Sequence, residues 1–138
     1  MKNVYVIDTS LLLALLNKND LQHKIAKEKI FNLESDTLKF EIPMVCYLEA
    51  LNKNPSPESF TELLLELVNK RGFEITTEDD GKFVASLSLQ IRSKLKSNDC
   101  SIIAITKRLN AELLTLDKHL EKYFNMYEEF KVKRLEYV

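Results

Sequence analysis

The chain contains few of the residues that interrupt secondary structure or join separate domains. Its 138 residues include only two glycines and three prolines, with no repeat and no low-complexity tract. A chain of this length can bury one core of its own, so the sequence predicts a single domain over residues 1–138. Apolar runs such as residues 11–16 are much too short to span a bilayer, and no membrane association is expected.

Cysteine and basic charge are scarce as well. Cys46 and Cys100 lie far apart, without the spacing of a zinc site or a disulfide scaffold, and are predicted to pack in the core. The formal net charge of −1 lacks the basic excess that is typical of nucleic-acid-binding domains. The opening residues lead into a strand pattern rather than a secretion signal, so a cytoplasmic location is expected.

The apolar residues alternate along the chain between strand-like runs and helical spacing, which predicts an α/β layer structure. Strands are predicted at residues 4–7, 39–42, 73–76 and 113–116, with an edge strand within 130–138. Helices are predicted at 11–17 (capped by Thr9 or Ser10), from Asp20 onward, around Glu49 after Pro43, at 56–70, at 77–91 and from Asn98 to a left-handed stop at Asn110. Open parallel sheets bind ligands beyond the carboxyl ends of their strands, so polar residues at those ends are the first candidates for a site.

Four acidic residues stand where such a sheet would bring them together. Asp8 and Asp117 each end a predicted strand, Asp99 begins the helix that leads into the second of these strands, and Glu49 lies in a helix. Carboxylates that meet in one place repel one another unless a cation lies between them, and oxygen ligands suit Mg²⁺ or Mn²⁺. The sequence therefore predicts that these four residues bind metal and act in catalysis, in a hydrolase of phosphodiesters.

Each acid also has an ordinary explanation. Asp8, Asp99 and Asp117 precede predicted helices, where aspartate is favoured as an N-cap, and Glu49 can be a solvated residue at the edge of an apolar face. Capping accounts for at most three of the positions, whereas one shared site accounts for all four. Other phosphate chemistries lack their signatures: there is no glycine-rich phosphate loop, and Thr9 and Ser10 follow Asp8 where an aspartyl-phosphate phosphatase needs an Asp-x-Asp pair.

Four segments together resemble the PIN domain family. They are Val-Ile-Asp8-Thr-Ser, the helix with Glu49, Asp99-Cys-Ser-Ile-Ile-Ala-Ile-Thr and Leu-Leu-Thr-Leu-Asp117-Lys, in the order and spacing of the family and over essentially the whole chain. The compact stand-alone form is similar to the VapC toxins of prokaryotic toxin–antitoxin pairs. The resemblance implies a three-layer α/β/α sandwich with a central, mostly parallel sheet and a Mg²⁺- or Mn²⁺-dependent ribonuclease site.

The resemblance also implies roles for single residues. Asp8, Asp99 and Asp117 match the metal-binding aspartates of the family, and Glu49 matches its acidic helix residue. Thr9, Ser10 and Thr115 match small hydroxyl residues that orient the acids. The products of such a site would carry a 3′-hydroxyl and a 5′-phosphate. No histidine is required as a general base, and His119, although it lies near Asp117, is interpreted as a surface residue.

The expected partners are an RNA substrate, a cognate antitoxin and a second copy of the chain. The homodimer and the antitoxin groove are suggested by residues 11–16 and 56–70, which carry more apolar residues than one buried face needs. A deeper core explains the same surplus. Two other functions remain open at this point: a non-catalytic PIN-like binding or scaffold protein, and a structure-directed nuclease or phosphohydrolase that acts on another nucleic acid or phosphoester.

Overall fold

A five-stranded parallel sheet forms the centre of the protein. The computed structural model describes residues 3–33, 38–53, 62, 64–66, 73–76, 97–125 and 131–134. The strands are β1 (Asn3–Ile7), β2 (Leu38–Pro43), β3 (Phe73–Thr76), β4 (Glu112–Thr115) and β5 (Lys131–Arg134). They lie in the order β3-β2-β1-β4-β5, and each neighbouring pair is parallel. The predicted sheet is confirmed, and so is the edge strand near the end of the chain.

Helices occupy most of the described connections between strands. They are α1 (Thr9–Leu16), α2 (His23–Leu33), α3 (Met44–Lys53), α4 (Ser97–Arg108) and α5 (Lys118–Asn125). Residues 62 and 64–66 are helical too, as predicted for 56–70, but the rest of that segment lies outside the described residues. The helix predicted at 77–91 also lies outside them. No helix in the described part of the chain has the length and apolar character that a membrane crossing requires.

Two predicted helix starts are wrong. The N-cap of α1 is Asp8 rather than Thr9 or Ser10, because Asp8 has an extended backbone and its side chain accepts a hydrogen bond from the Leu11 amide. The second helix begins at His23, since Asp20 instead closes a turn by accepting from the Gln22 amide at 2.8 Å. The predicted stop at Asn110 is confirmed by its positive φ of 49°.

Both faces of the sheet are covered, which confirms the three-layer sandwich. Successive residues of a strand point to opposite faces, and neighbouring residues of β1 and β4 accordingly pack in different cores. Ile7 and Leu114 pack in a cluster with residues of α1 and α2, whereas Val6 and Leu113 pack with residues of α4 and α5. Continuous apolar strands are what a parallel sheet buried on both faces requires.

Candidate functional site

The carboxyl ends of β1 and β4 lie side by side, and an acidic residue follows each of them within two positions. Ile7 pairs with Leu114 in the sheet, and the Asp8 amide donates to the Leu114 carbonyl at 3.4 Å. Asp8 therefore stands at the junction of β1 and α1, and Asp117 at the junction of β4 and α5. Because the strands are parallel, both junctions belong to the same rim of the sheet.

Two further helices bring the remaining acids to this rim. α3 begins directly at the end of β2 and carries Glu49, while Asp99 lies in the first turn of α4. All four predicted acids line one cavity of about 200 Å³. The other residues that line it are Thr9, Ser10, Leu13, Lys53, Ile102 and Leu120. The structure therefore brings together all four acids that the sequence predicts for one site.

The four carboxylates share the cavity without converging on a single point. In the described ranges, no three histidine, cysteine, aspartate or glutamate side chains are grouped closely enough to hold one ion. Asp8 is buried, Glu49 and Asp99 are half-buried, and Asp117 is exposed. Glu49, Asp99 and Asp117 line the cavity from three separate segments. Their roles as metal ligands stay predictions.

Asp8 is held by three hydrogen-bond donors. Its Oδ1 accepts from the Ser10 hydroxyl at 2.9 Å and from the Leu11 amide at 3.0 Å, and its Oδ2 accepts from the Thr115 hydroxyl. The Leu11 contact is the N-cap of α1, and the same residue lines the cavity. The two explanations that the sequence left open for Asp8 are therefore compatible.

The environment of Asp8 disfavours its charge in the absence of a cation. The pKa of Asp8 is raised from its ordinary value of 3.8 to about 6. Burial is the largest cause and the nearby charge of Asp117 adds to it, while hydrogen bonds from Thr115, Leu11 and Ser10 act in the opposite direction. A divalent cation in the cavity would offset both the burial and the repulsion. The chemistry of the donors, carboxylates flanked by hydroxyls, suits Mg²⁺ or Mn²⁺.

Two hydroxyls join the segment after β1 to the segment after β4. Thr115 donates to Asp8 and accepts from the Asp117 amide at 2.9 Å. Ser10 donates to Asp8 and accepts from the Leu116 amide at 3.3 Å. The segments that carry Asp8 and Asp117 are thus joined by buried and partly buried hydrogen bonds, so a shift of one is transmitted to the other.

Thr9 is oriented differently from the other two hydroxyl residues. It lines the cavity, and its described side-chain partner is the thiol of Cys46 rather than a carboxylate. Burial raises the pKa of the Cys46 thiol, so that residue is a neutral packing group. Cys46 and Cys100 are both buried and free, which confirms the prediction from their apolar neighbours.

Lys53 also belongs to the cavity, although it is not among the residues predicted for the site. This lysine ends α3, lines the cavity and pairs with Glu49 at 4.0 Å between Nζ and Oε1. A basic residue after an acidic motif is usually solvated surface, so this context alone does not mark Lys53 as part of a site. The useful signal was the spacing of four residues, which places both side chains on the same face of a helix.

The comparisons with known proteins agree with the fold. The structure is similar to that of VapBC2 from Rickettsia felis bound to a DNA fragment from their promoter, at 15% identity with a TM-score of 0.73, over 96% of this chain and 99% of that one. It is similar to VapBC-1 from nontypeable Haemophilus influenzae, at 15% identity with a TM-score of 0.68, over 96% and 98% of the chains.

A third similar structure is Mycobacterium tuberculosis VapC20, a Sarcin-Ricin loop cleaving toxin, at 14% identity with a TM-score of 0.64, over 86% of this chain and 93% of that one. At such identities the likeness shows the fold alone. No curated protein matches the sequence. The profile of the PIN domain family matches residues 5–124, most of the chain. This protein is therefore a member of the PIN domain family.

Proposed function

We propose that this protein is a divalent-metal-dependent endoribonuclease and the toxin of a type II toxin–antitoxin pair. PIN domains are nucleases as a family, which supports hydrolysis of a nucleic acid. The observation that carries the proposal is that four carboxylates, from four separate segments, line one cavity at the carboxyl rim of the sheet. Surface solvation and helix capping do not require four distant segments to meet there.

In this proposal Asp8, Glu49, Asp99 and Asp117 would hold Mg²⁺ or Mn²⁺. Bound there, the ion supplies an activated water for attack on phosphorus and offsets the charge on the reacting phosphate. The side chains of the protein would position the ion and the reacting phosphate. Asp8 is fixed by its three hydrogen-bond donors and is the most rigid of the four acids. The half-buried and exposed acids can adjust to the ion and to the RNA strand. The products carry a 3′-hydroxyl and a 5′-phosphate.

A single incubation tests the proposal. Purified protein is mixed with total cellular RNA in Mn²⁺ or in EDTA, beside the variants Asp99→Asn and Asp20→Asn. Asp20 lies beyond the C-terminal end of α1, away from the residues that line the cavity, so its variant is a matched control for the chemical change. We expect 5′-phosphate fragments in Mn²⁺, none in EDTA, and a rate about 100-fold lower for Asp99→Asn only.

Other outcomes have definite meanings. Cleavage that persists in Asp99→Asn would mean a contaminating nuclease or a site located elsewhere. Mn²⁺ binding without cleavage of any RNA would favour the non-catalytic binding protein. Cleavage of a structured DNA in preference to RNA would favour the structure-directed nuclease.

The partners belong to the proposal as well. The similar structures from Rickettsia felis and Haemophilus influenzae are VapBC pairs, and the shared fold supports a cognate antitoxin for this chain. A homodimer stays a prediction from the sequence. Sedimentation of the purified protein, alone and co-expressed with the product of the adjacent reading frame, tests both. A monomer that forms no complex with that product would contradict the toxin–antitoxin assignment while leaving the nuclease assignment intact.

Thr115 offers a test of how the site is held together. Thr115→Val keeps the buried volume but removes the donor to Asp8 and the acceptor for the Asp117 amide. We expect cleavage to fall about 10- to 100-fold, as for other residues that orient metal ligands. Thr115→Ser retains the hydroxyl and should recover most of the loss in a comparison of initial rates. Equal activity of the valine and serine variants would show that the hydroxyl is not needed.

A further inference from the structure

We infer that Lys53 positions the substrate by contacting a phosphate of the RNA strand beside the phosphate that reacts. The inference rests on the proposed nuclease function and goes beyond it, because it identifies how an acidic cavity attracts a polyanion. The inference is based on the position of Lys53, which lines the same cavity as the four acids Asp8, Glu49, Asp99 and Asp117. The other described residues of that lining are hydroxyl-bearing or apolar.

The position of Lys53 follows from the geometry of α3. Glu49 and Lys53 are four residues apart, so they share a helix face and are separated by about 6 Å along the axis. Glu49 lies half-buried at the cavity, and Lys53 extends the same face to the end of the helix. The ammonium group therefore stands next to the proposed reaction centre rather than inside it. From there it can reach a neighbouring phosphate of a strand that passes over the cavity.

The ion pair that Lys53 makes is weak enough to exchange. Its Nζ lies 4.0 Å from Glu49 Oε1, the outer limit of an ion pair, and the side chain is 61% exposed. Pairs of this kind on a helix surface contribute little to stability. Lys53 can therefore leave Glu49 for a phosphate oxygen at small cost, and an ammonium–phosphate contact is the stronger interaction.

Charge explains why such a residue is needed. The chain has a formal net charge of −1, and four carboxylates line the cavity, so RNA meets a repulsive field wherever cations do not compensate it. A fixed positive side chain at the edge of the cavity attracts the strand and sets its register. Phosphate contacts of this type position a nucleic acid without reading its sequence. Lys53 thus acts on binding rather than on the choice of base.

The test compares Lys53→Gln and Lys53→Arg with the wild type, and Lys18→Gln serves as a matched control. Lys18 is exposed in the turn that follows α1 and does not line the cavity. Cleavage of a labelled single-stranded oligoribonucleotide is measured at saturating Mn²⁺, so that any effect of the freed Glu49 on metal affinity is removed. Binding of the same oligoribonucleotide is measured by fluorescence anisotropy in EDTA across a range of salt concentrations.

We expect Lys53→Gln to raise KM about tenfold while kcat changes by less than about twofold, since a charge-assisted contact to the substrate is lost. The slope of log affinity against log salt should fall by about 0.7, the value for one phosphate of a single strand. Lys53→Arg keeps the charge and should recover most of the loss in KM and in salt slope, whereas Lys18→Gln should behave like the wild type. An unchanged KM and salt slope, or a loss confined to kcat, would overturn the inference.

The two proposals can fail separately. If the wild type cleaves RNA but Lys53→Gln matches it in KM and in salt slope, only the role of Lys53 is wrong. If the wild type binds RNA without cleaving it, the nuclease proposal fails and the salt slopes still decide the role of Lys53. If it neither cleaves nor binds, both proposals are wrong.

Discussion

Asp8→Asn is expected to lower the rate of RNA cleavage about 1,000-fold, which corresponds to about 4 kcal/mol of transition-state stabilisation. Asp8 is the most buried of the four acids and receives three hydrogen bonds. Removing its charge takes the rigid anchor from the proposed metal site. The effect should exceed that of changing a more exposed acid such as Asp117, whose place solvent can partly fill.

The loss should not come from misfolding. Asparagine is as good an N-cap as aspartate, and its side-chain oxygen can still accept from the Leu11 amide that caps α1. Initial rates at saturating Mn²⁺, with a circular dichroism spectrum of each protein, check both points. Asp20→Asn, which alters the same functional group in a turn, should keep the wild-type rate. An Asp8→Asn protein that cleaves at the wild-type rate would remove Asp8 from the mechanism.

The fold could be predicted from the sequence to a large extent, because strand and helix periods are local properties. The apolar runs of β1 and β4 placed Asp8 and Asp117 at strand ends without any knowledge of the strand order. The resemblance to the family then supplied the sheet and its layers. The errors occurred at helix starts. Two neighbouring residues, Thr9 and Ser10, were as suitable for capping as Asp8, and only the backbone conformation decides among them.

The cavity itself could be predicted only in part. Strand ends place a residue at a rim, but the direction of a side chain on a helix depends on how that helix packs, which is a long-range property. Glu49 and Lys53 are brought to the cavity by the packing of α3, and Leu13 and Ile102 complete its walls. No local pattern marks the apolar walls, since Leu13 and Ile102 look like ordinary residues of amphipathic helices. The spacing of Glu49 and Lys53 places them on one helix face, but it does not show that this face meets the cavity.

The same substitution, Asp8→Asn, is expected to stabilise the protein when no metal is present. Burial raises the pKa of Asp8 from 3.8 to about 6, so the folded state binds a proton more tightly than the unfolded state. The favourable contribution is complete below about pH 4 and is lost as the pH rises through about 6. Once the carboxyl is ionised, the metal-free fold loses on the order of 3 kcal/mol relative to low pH. Asparagine carries no such penalty.

The measurement is thermal unfolding of the wild type and of Asp8→Asn in EDTA between about pH 4 and pH 8. Comparing the two proteins removes the pH dependence of every other group. The variant's advantage in Tm should grow by about 10 °C from the acidic to the alkaline end. At pH 8, added Mn²⁺ should raise the Tm of the wild type above that of Asp8→Asn, because an ion that binds only the folded wild type stabilises it. A Tm difference that stays constant with pH would contradict the prediction. It would show that ionisation of Asp8 does not destabilise the metal-free protein, and that the cavity does not favour a cation for that reason.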